Sequence, residues 1–198
     1  IQKEFTNALQ KNLIISHAVG AGEYFSDEVV RTAMLLRINN FIYGYSGIRL
    51  ETVETLVEML NRGVTPLVPE KGSLGASGDL VPLAHMVLPL LGLGRAKYQG
   101  KVMAGAEAMR AAGIPTLELT QKEGLALING TQFMTAVGAL AVYDALELLK
   151  VADIAAAMSF EAQNGIVDAL GARMHSIRPH KGQQDSARIV KKLLEGSK

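Results

Sequence analysis

From residue 131 to about residue 170 the chain runs through Ala- and Leu-rich sequence without a proline, and such a run folds as helix before anything else. It reads as one long, mostly buried helix or two in succession. The remaining composition agrees: 5% of residues are aromatic, none is Trp, and Ala, Leu, Gly and Met are plentiful, which suits close helix packing better than a β-sandwich. The expected fold class is mainly α. At 198 residues and 48% hydrophobic content the chain can bury a sizeable core, and it is expected to form a single helical unit over 1–198.

Charge and cysteine content narrow the function classes. The net charge of +1 is spread over interspersed acids and bases, so there is neither a basic stripe for nucleic acid nor a polybasic run for a lipid surface. The absence of cysteine removes disulfides, thiolate nucleophiles and Cys-type metal sites, and fits a reducing cytoplasm. The most apolar stretch, 80–94, contains His85 and two prolines and falls short of a bilayer span. The chain opens on Ile1 with a helix-like pattern (Phe5, Leu9, Leu13) already running, and is read as an internal piece of a longer protein.

Local signals divide the chain into helices. Ser26, followed by Asp27 and Glu28, predicts a helix start, with Val30, Met34, Ile38, Phe41 and Tyr45 along one face. Val53, Leu56, Val57 and Leu60 repeat the spacing, and Gly63 is placed to end that segment in a left-handed cap. A loop holding Pro66 and Pro69 follows. Asp79 is predicted to cap the next helix, with Pro82 in its first turn and Pro89 kinking it. Residues 97–102 read as a small β-hairpin, and 104–112 as a short helix stopped by Gly113 and Pro115. Thr120 and Glu123 form a capping-box pattern before LALIN. Asn129-Gly130 is read as a break between helices, with Thr131 capping the second.

The Gly-rich loop GSLGASGD, 72–79, holds the chemistry. Its spacing is neither a dinucleotide fingerprint nor a phosphate-binding Walker motif, and Ser77 lacks the GxSxG context and the preceding strand of a hydrolase nucleophile. From composition alone, such a Gly/Ser cluster is more often a flexible loop than a site. A chemical reading stands beside that one. If a bend brings the Gly78 nitrogen against the Ala76 carbonyl, the backbone can close a five-membered ring, which glycine's freedom favours. Loss of water from the ring and from Ser77 leaves a methylidene-imidazolone, an electrophile that no side chain supplies. A position before a helix start would stabilise negative charge developing on it.

GSLGASGDLVPLAHM resembles the signature of the aromatic amino acid ammonia-lyase and aminomutase family, which forms a methylidene-imidazolone from Ala-Ser-Gly. ISHAVGAG, INNFIYGYSGIR, KEGLALINGTQ and RPHKGQ resemble further family segments in the same order, so the likeness spans most of the chain. It implies long packed helices of the fumarase/aspartase-like kind, a homotetramer with active sites shared between subunits, and Ala76, Ser77 and Gly78 as prosthetic-group precursor. Taken alone, a residue such as His17 is more often a structural histidine than a ligand, and one such as Asn129 more often a helix-end residue than a catalytic one. The resemblance makes His17 a substrate-selectivity residue typical of members handling histidine or tyrosine, and Ala18 after it matches the histidine-directed members. It places Asn129 close to the electrophile and substrate, and Asp79 as an aid to ring closure. His85, His175 and His180 form no metal pattern and are read as structural; no metal is expected.

The implied reaction is non-oxidative elimination of ammonia from L-histidine to give trans-urocanate, by a carbon–nitrogen lyase acting on a small aromatic amino acid. Amine addition to the methylidene improves the leaving group, and a base removes a β-proton. The resemblance puts the base-bearing tyrosine loop before Ile1 and further site residues beyond Lys198, so this chain is expected to hold an incomplete active site. Two alternatives stay open: a tyrosine-directed lyase or aminomutase of the same family, and a non-catalytic helical assembly domain.

Overall fold

The computed structural model describes residues 5–74 and 78–197, and helix dominates them. The helices are α1 (Thr6–His17), α2 (Asp27–Ile42), α3 (Leu50–Arg62), α4 (Leu80–Val87), α5 (Gly105–Ala111), α6 (Glu123–Ile128), α7 (Gln132–Ala162), α8 (Ala172–Ser176) and α9 (Lys181–Leu193). The chain divides into two compact units, Ile1–Leu140 and Ala141–Lys198, and the boundary falls within α7. No helix among the described residues is long and apolar enough to cross a membrane.

The helix boundaries follow local chemistry. Ser26 Oγ accepts the Val29 N–H at 3.3 Å, with Asp27 and Glu28 in the first turn of α2. Val30, Met34, Ile38 and Phe41 are buried as the spacing predicts, whereas Tyr45 lies past the helix end and is 91% exposed. Gly63 ends α3 in the left-handed region, at φ 75°. Pro82 sits in the first turn of α4; at Pro89 the helix tightens into a 3-10 turn, Leu88–Leu91, since proline there removes a backbone donor. The first helix buries Gln10 and Ile14, not the stripe that starts at Phe5 and Leu9, which are exposed. Gln10 Oε1 accepts the Gly124 N–H at 2.9 Å, so packing against α6 selects the buried face.

The hairpin near 97–102 is present and slightly longer: β4 (Arg95–Tyr98) pairs antiparallel with β5 (Lys101–Ala104). Residues 65–71, read as loop, contain two short strands. β2 (Thr65–Pro66) adds to β4, and β3 (Pro69–Lys71) pairs antiparallel with β1 (Ala21–Tyr24). Strands of two to four residues are too short to show period-two alternation. In the first unit the core joins Ile14, Met34, Leu56, Met59, Leu83, Met86, Met109, Leu127 and Phe133.

α7 corrects one expectation. It is a single continuous helix, but beyond Ala136 it is mostly exposed in this chain: Val142, Tyr143, Leu146, Leu148, Leu149, Val151 and Met158 all face outward. Its sequence carries the apolar residues of a buried helix, while the chain's own elements cover only its first turns and the stretch around Ala157 and Phe160. In the second unit, Ala157, Val190 and Leu194 form a small core with Phe160 and Leu170 against it.

Candidate active site

The described flanks of the triplet fold back on themselves. Leu74 and Gly78 form an antiparallel bridge. Ala76 and Ser77 lie outside the described residues. Gly78 is held at φ 74°, and a Cβ there would overlap the Gly130 carbonyl oxygen, so two independent constraints demand glycine. Gly78 also makes a parallel bridge with Gly130, and the Asp79 N–H donates to the Gly130 carbonyl at 2.7 Å. The end of the triplet and the Asn129-Gly130 break are thereby one piece of structure.

The break has the form read from sequence. α6 stops at Ile128, Asn129 is extended (φ −93°, ψ 110°), and α7 starts at Gln132. Asn129 is exposed, and its side-chain amide makes no hydrogen bond among the described residues, which leaves it able to donate. Glu123 anchors the start of α6. Buried to 1% exposure, its carboxylate accepts from the Arg49 backbone N–H and Nε, Thr52 Oγ1, and the Thr120 backbone N–H and Oγ1. Burial pushes its pKa up, but these hydrogen bonds together outweigh burial and hold the carboxyl below its ordinary range. Thr120 and Glu123 thus supply half of a capping box: the glutamate reaches back to the Thr120 N–H, and the helix itself begins at Glu123.

Asp79 occupies the N-cap position of α4 but does not use its side chain there. At 1% exposure, its Oδ2 accepts the Met134 N–H in the first turn of α7 at 2.8 Å, and Oδ1 accepts from Ser73 Oγ at 2.6 Å. The carboxylate therefore caps α7 from outside its own helix, filling the role expected of Thr131. A negative charge at a helix N-terminus and two short hydrogen bonds favour that choice over local capping. One buried group ties α4, α7 and Ser73 of the Gly-rich loop together.

The histidines differ in the partners their ring nitrogens find. His17 ends α1 and is half-buried; its Nδ1 lies 2.7 Å from the Leu13 carbonyl, which only accepts, so in the neutral ring Nδ1 carries the hydrogen and Nε2 keeps a free lone pair. No hydrogen bond joins His17 to Gly78 or Asn129 among the described residues; its helix, α1, packs on α4 and α6. His85, on α4, accepts the Gly20 N–H on Nε2 at 3.0 Å, and burial lowers its pKa. It holds the segment after His17 to α4. His175 bonds locally, to the Ala169 carbonyl and Gln183. Among the described residues no group of three His, Cys, Asp or Glu is placed to hold a metal ion.

Sequence reasoning missed Arg37. It is 3% exposed on the buried face of α2; Nη1 donates to Gln132 Oε1 at 3.0 Å, Nη2 donates to the Ala126 carbonyl, and the guanidinium carbon lies 4.7 Å from the centre of the Phe41 ring. Burial lowers its pKa to about 10, so it stays charged at neutral pH. The available signal was a charged residue inside the apolar stripe that runs from Val30 to Phe41.

Comparison with known proteins converges on one family. A family model described as aromatic amino acid lyase matches residues 1–198. The histidine ammonia-lyases of Alkaliphilus oremlandii and Clostridium tetani are each 64% identical over all of this chain, which covers 39% and 38% of them. Among solved structures, histidine ammonia-lyase from Trypanosoma cruzi superposes with a TM-score of 0.91 at 42% identity, over 96% of this chain and 38% of that one. Phenylalanine aminomutase from Pantoea agglomerans superposes with a TM-score of 0.93 at 38% identity, over 98% of this chain and 37% of that one. The chain spans about two fifths of the length of the curated relatives it matches. With the Gly78 turn fastened to the Asn129 break, and a family match running from its first residue to its last, this chain belongs to the aromatic amino acid lyase family.

Proposed function

We propose that the full-length protein containing this chain is a histidine ammonia-lyase, a carbon–nitrogen lyase that converts L-histidine to ammonia and trans-urocanate in the cytoplasm. The bridge that joins Gly78 to the Asn129-Gly130 break carries the reading, because it brings the end of the proposed precursor and a free side-chain amide to one place. The family works through a methylidene-imidazolone, and the residues present fit it: Gly78 has the left-handed backbone and missing Cβ that ring closure from Ala76, Ser77 and Gly78 needs. Once formed, that group supplies an electrophile for the substrate.

The chain's own residues do the positioning. Asn129 donates its amide toward the prosthetic group or the substrate carboxylate. Asp79, buried and doubly bonded, fixes the turn from which the ring closes. His17, with Nε2 unprotonated, accepts a hydrogen bond from an imidazole N–H, and a bound substrate ring lacking that donor leaves the acceptor unpaired, which discriminates against it. The base that removes the weakly acidic β-proton is assigned to the part of the relatives' length that this chain does not span. The apolar outward face of α7 fits burial against other helices in a homotetramer.

The aminomutase likeness favours a second reading, in which the amino group is returned to the skeleton instead of being released. Product analysis separates the two. The full-length protein given L-histidine is expected to release ammonia and urocanate, and Ser77→Ala is expected to lower that turnover by at least about 10³-fold. A β-amino acid as product, or turnover unchanged by Ser77→Ala, contradicts the assignment.

A further inference from the structure

Arg37 is a buried cation without a carboxylate. None of the ion pairs among the described residues includes it, and its Nε has no hydrogen-bond partner. Burying a guanidinium under these conditions is costly, and packing on Phe41 and two neutral acceptors offsets only part of that cost. A methionine or leucine would fill this place in the stripe of α2 without such a cost. What the guanidinium does that an apolar side chain cannot is span the break between α6 and α7. One of its nitrogens holds the Ala126 carbonyl in α6, and the other holds Gln132 at the start of α7. Between those two anchors lie Asn129 and Gly130.

The contact with Gly130 is close. A Cβ on Gly130 would stand 2.5 Å from Arg37 Nη1 and would overlap Gln132 Oε1, so the guanidinium is packed against the backbone whose carbonyl receives the Asp79 N–H. That same carbonyl is the atom that excludes a side chain at Gly78. A continuous path of contacts therefore runs from Arg37 through Gly130 to the last residue of the triplet.

We propose that Arg37 is a positioning residue: it clamps the α6–α7 break so that Gly130 holds Gly78 in the turn required for ring closure and Asn129 faces the same place. The role rests on the reading of Ala76, Ser77 and Gly78 as precursor. It depends on the planar two-ended fork, not only on charge, so lysine does not replace it. Gln132 is the partner at the far end of the clamp.

The test uses the full-length protein and peptide mass over residues 76–78, with circular dichroism for folding and kcat and KM for turnover. In the wild-type protein the peptide is expected to have lost two waters. In Arg37→Lys, helix content is retained, the dehydrated fraction or its rate of appearance falls at least about tenfold, and kcat per dehydrated site falls more than KM rises. Gln132→Ala, which leaves the core untouched, gives a smaller loss in the same direction, and the double variant is no worse than Arg37→Lys alone. Wild-type dehydration and kcat in a folded Arg37→Lys protein overturn the proposal. If Arg37→Lys does not fold, Gln132→Ala decides: dehydration at the wild-type rate overturns it, and slowed dehydration supports it. A wild-type peptide of unmodified mass overturns the precursor reading itself, and the role of Arg37 with it.

Discussion

At the scale of single residues, two histidines of the same tautomer, each with Nε2 as an acceptor, are used differently. His17 presents Nε2 as an acceptor, so His17→Leu in the full-length protein should lower kcat/KM for histidine by about 10²-fold or more and leave phenylalanine use much less affected. Equal losses on both substrates would contradict ring recognition. His85 uses Nε2 internally, against the Gly20 N–H, and must be neutral to do so. Its pKa is lowered by burial from 6.5, so the unfolded chain binds the proton more readily. The stability it contributes is therefore present above pH 6.5 and is lost as pH falls through the depressed folded value. Denaturant unfolding between pH 7 and 5 should show this loss in the wild type, with the slope reduced by about one proton in His85→Leu; identical slopes would remove His85 from the account.

At the scale of elements, the break between α6 and α7 is the organising feature, and its glycines are steric requirements. Gly78→Ala places a Cβ into the Gly130 carbonyl at a φ that L-residues adopt at a cost of about 1–2 kcal/mol. The variant is expected to keep its helix content by circular dichroism while its triplet stays unmodified by mass; normal dehydration in Gly78→Ala would show that the turn is not what closes the ring. Much of this level was legible in the sequence. The caps at Ser26 and Gly63, the hairpin at Gln99-Gly100 and the Asn129-Gly130 break all depend on neighbours close in the chain. What escaped sequence reasoning depends on partners far away. Asp79 caps α7, 55 residues on, because the fold brings an uncapped N-terminus to it. The buried face of α1 is chosen by Gly124, and Arg37 gains its meaning from Ala126 and Gln132, none of which local periodicity can show.

At the scale of the whole molecule, the outstanding feature is the apolar outward face of α7. Its first turns bury Phe133 and Ala136, and most of its remaining apolar residues face outward. In the full-length protein, charge placed on that face, as in Leu146→Glu with Leu149→Glu, should break the proposed homotetramer in sedimentation; an assembly left unchanged by both substitutions would contradict burial of this face between subunits. The central claim concerns the triplet, and mass spectrometry tests it most directly. A peptide spanning Ala76, Ser77 and Gly78 from the folded full-length protein is expected to weigh two waters less than its sequence, and Ser77→Ala is expected to abolish that loss. An unmodified mass from folded, active protein would contradict the account.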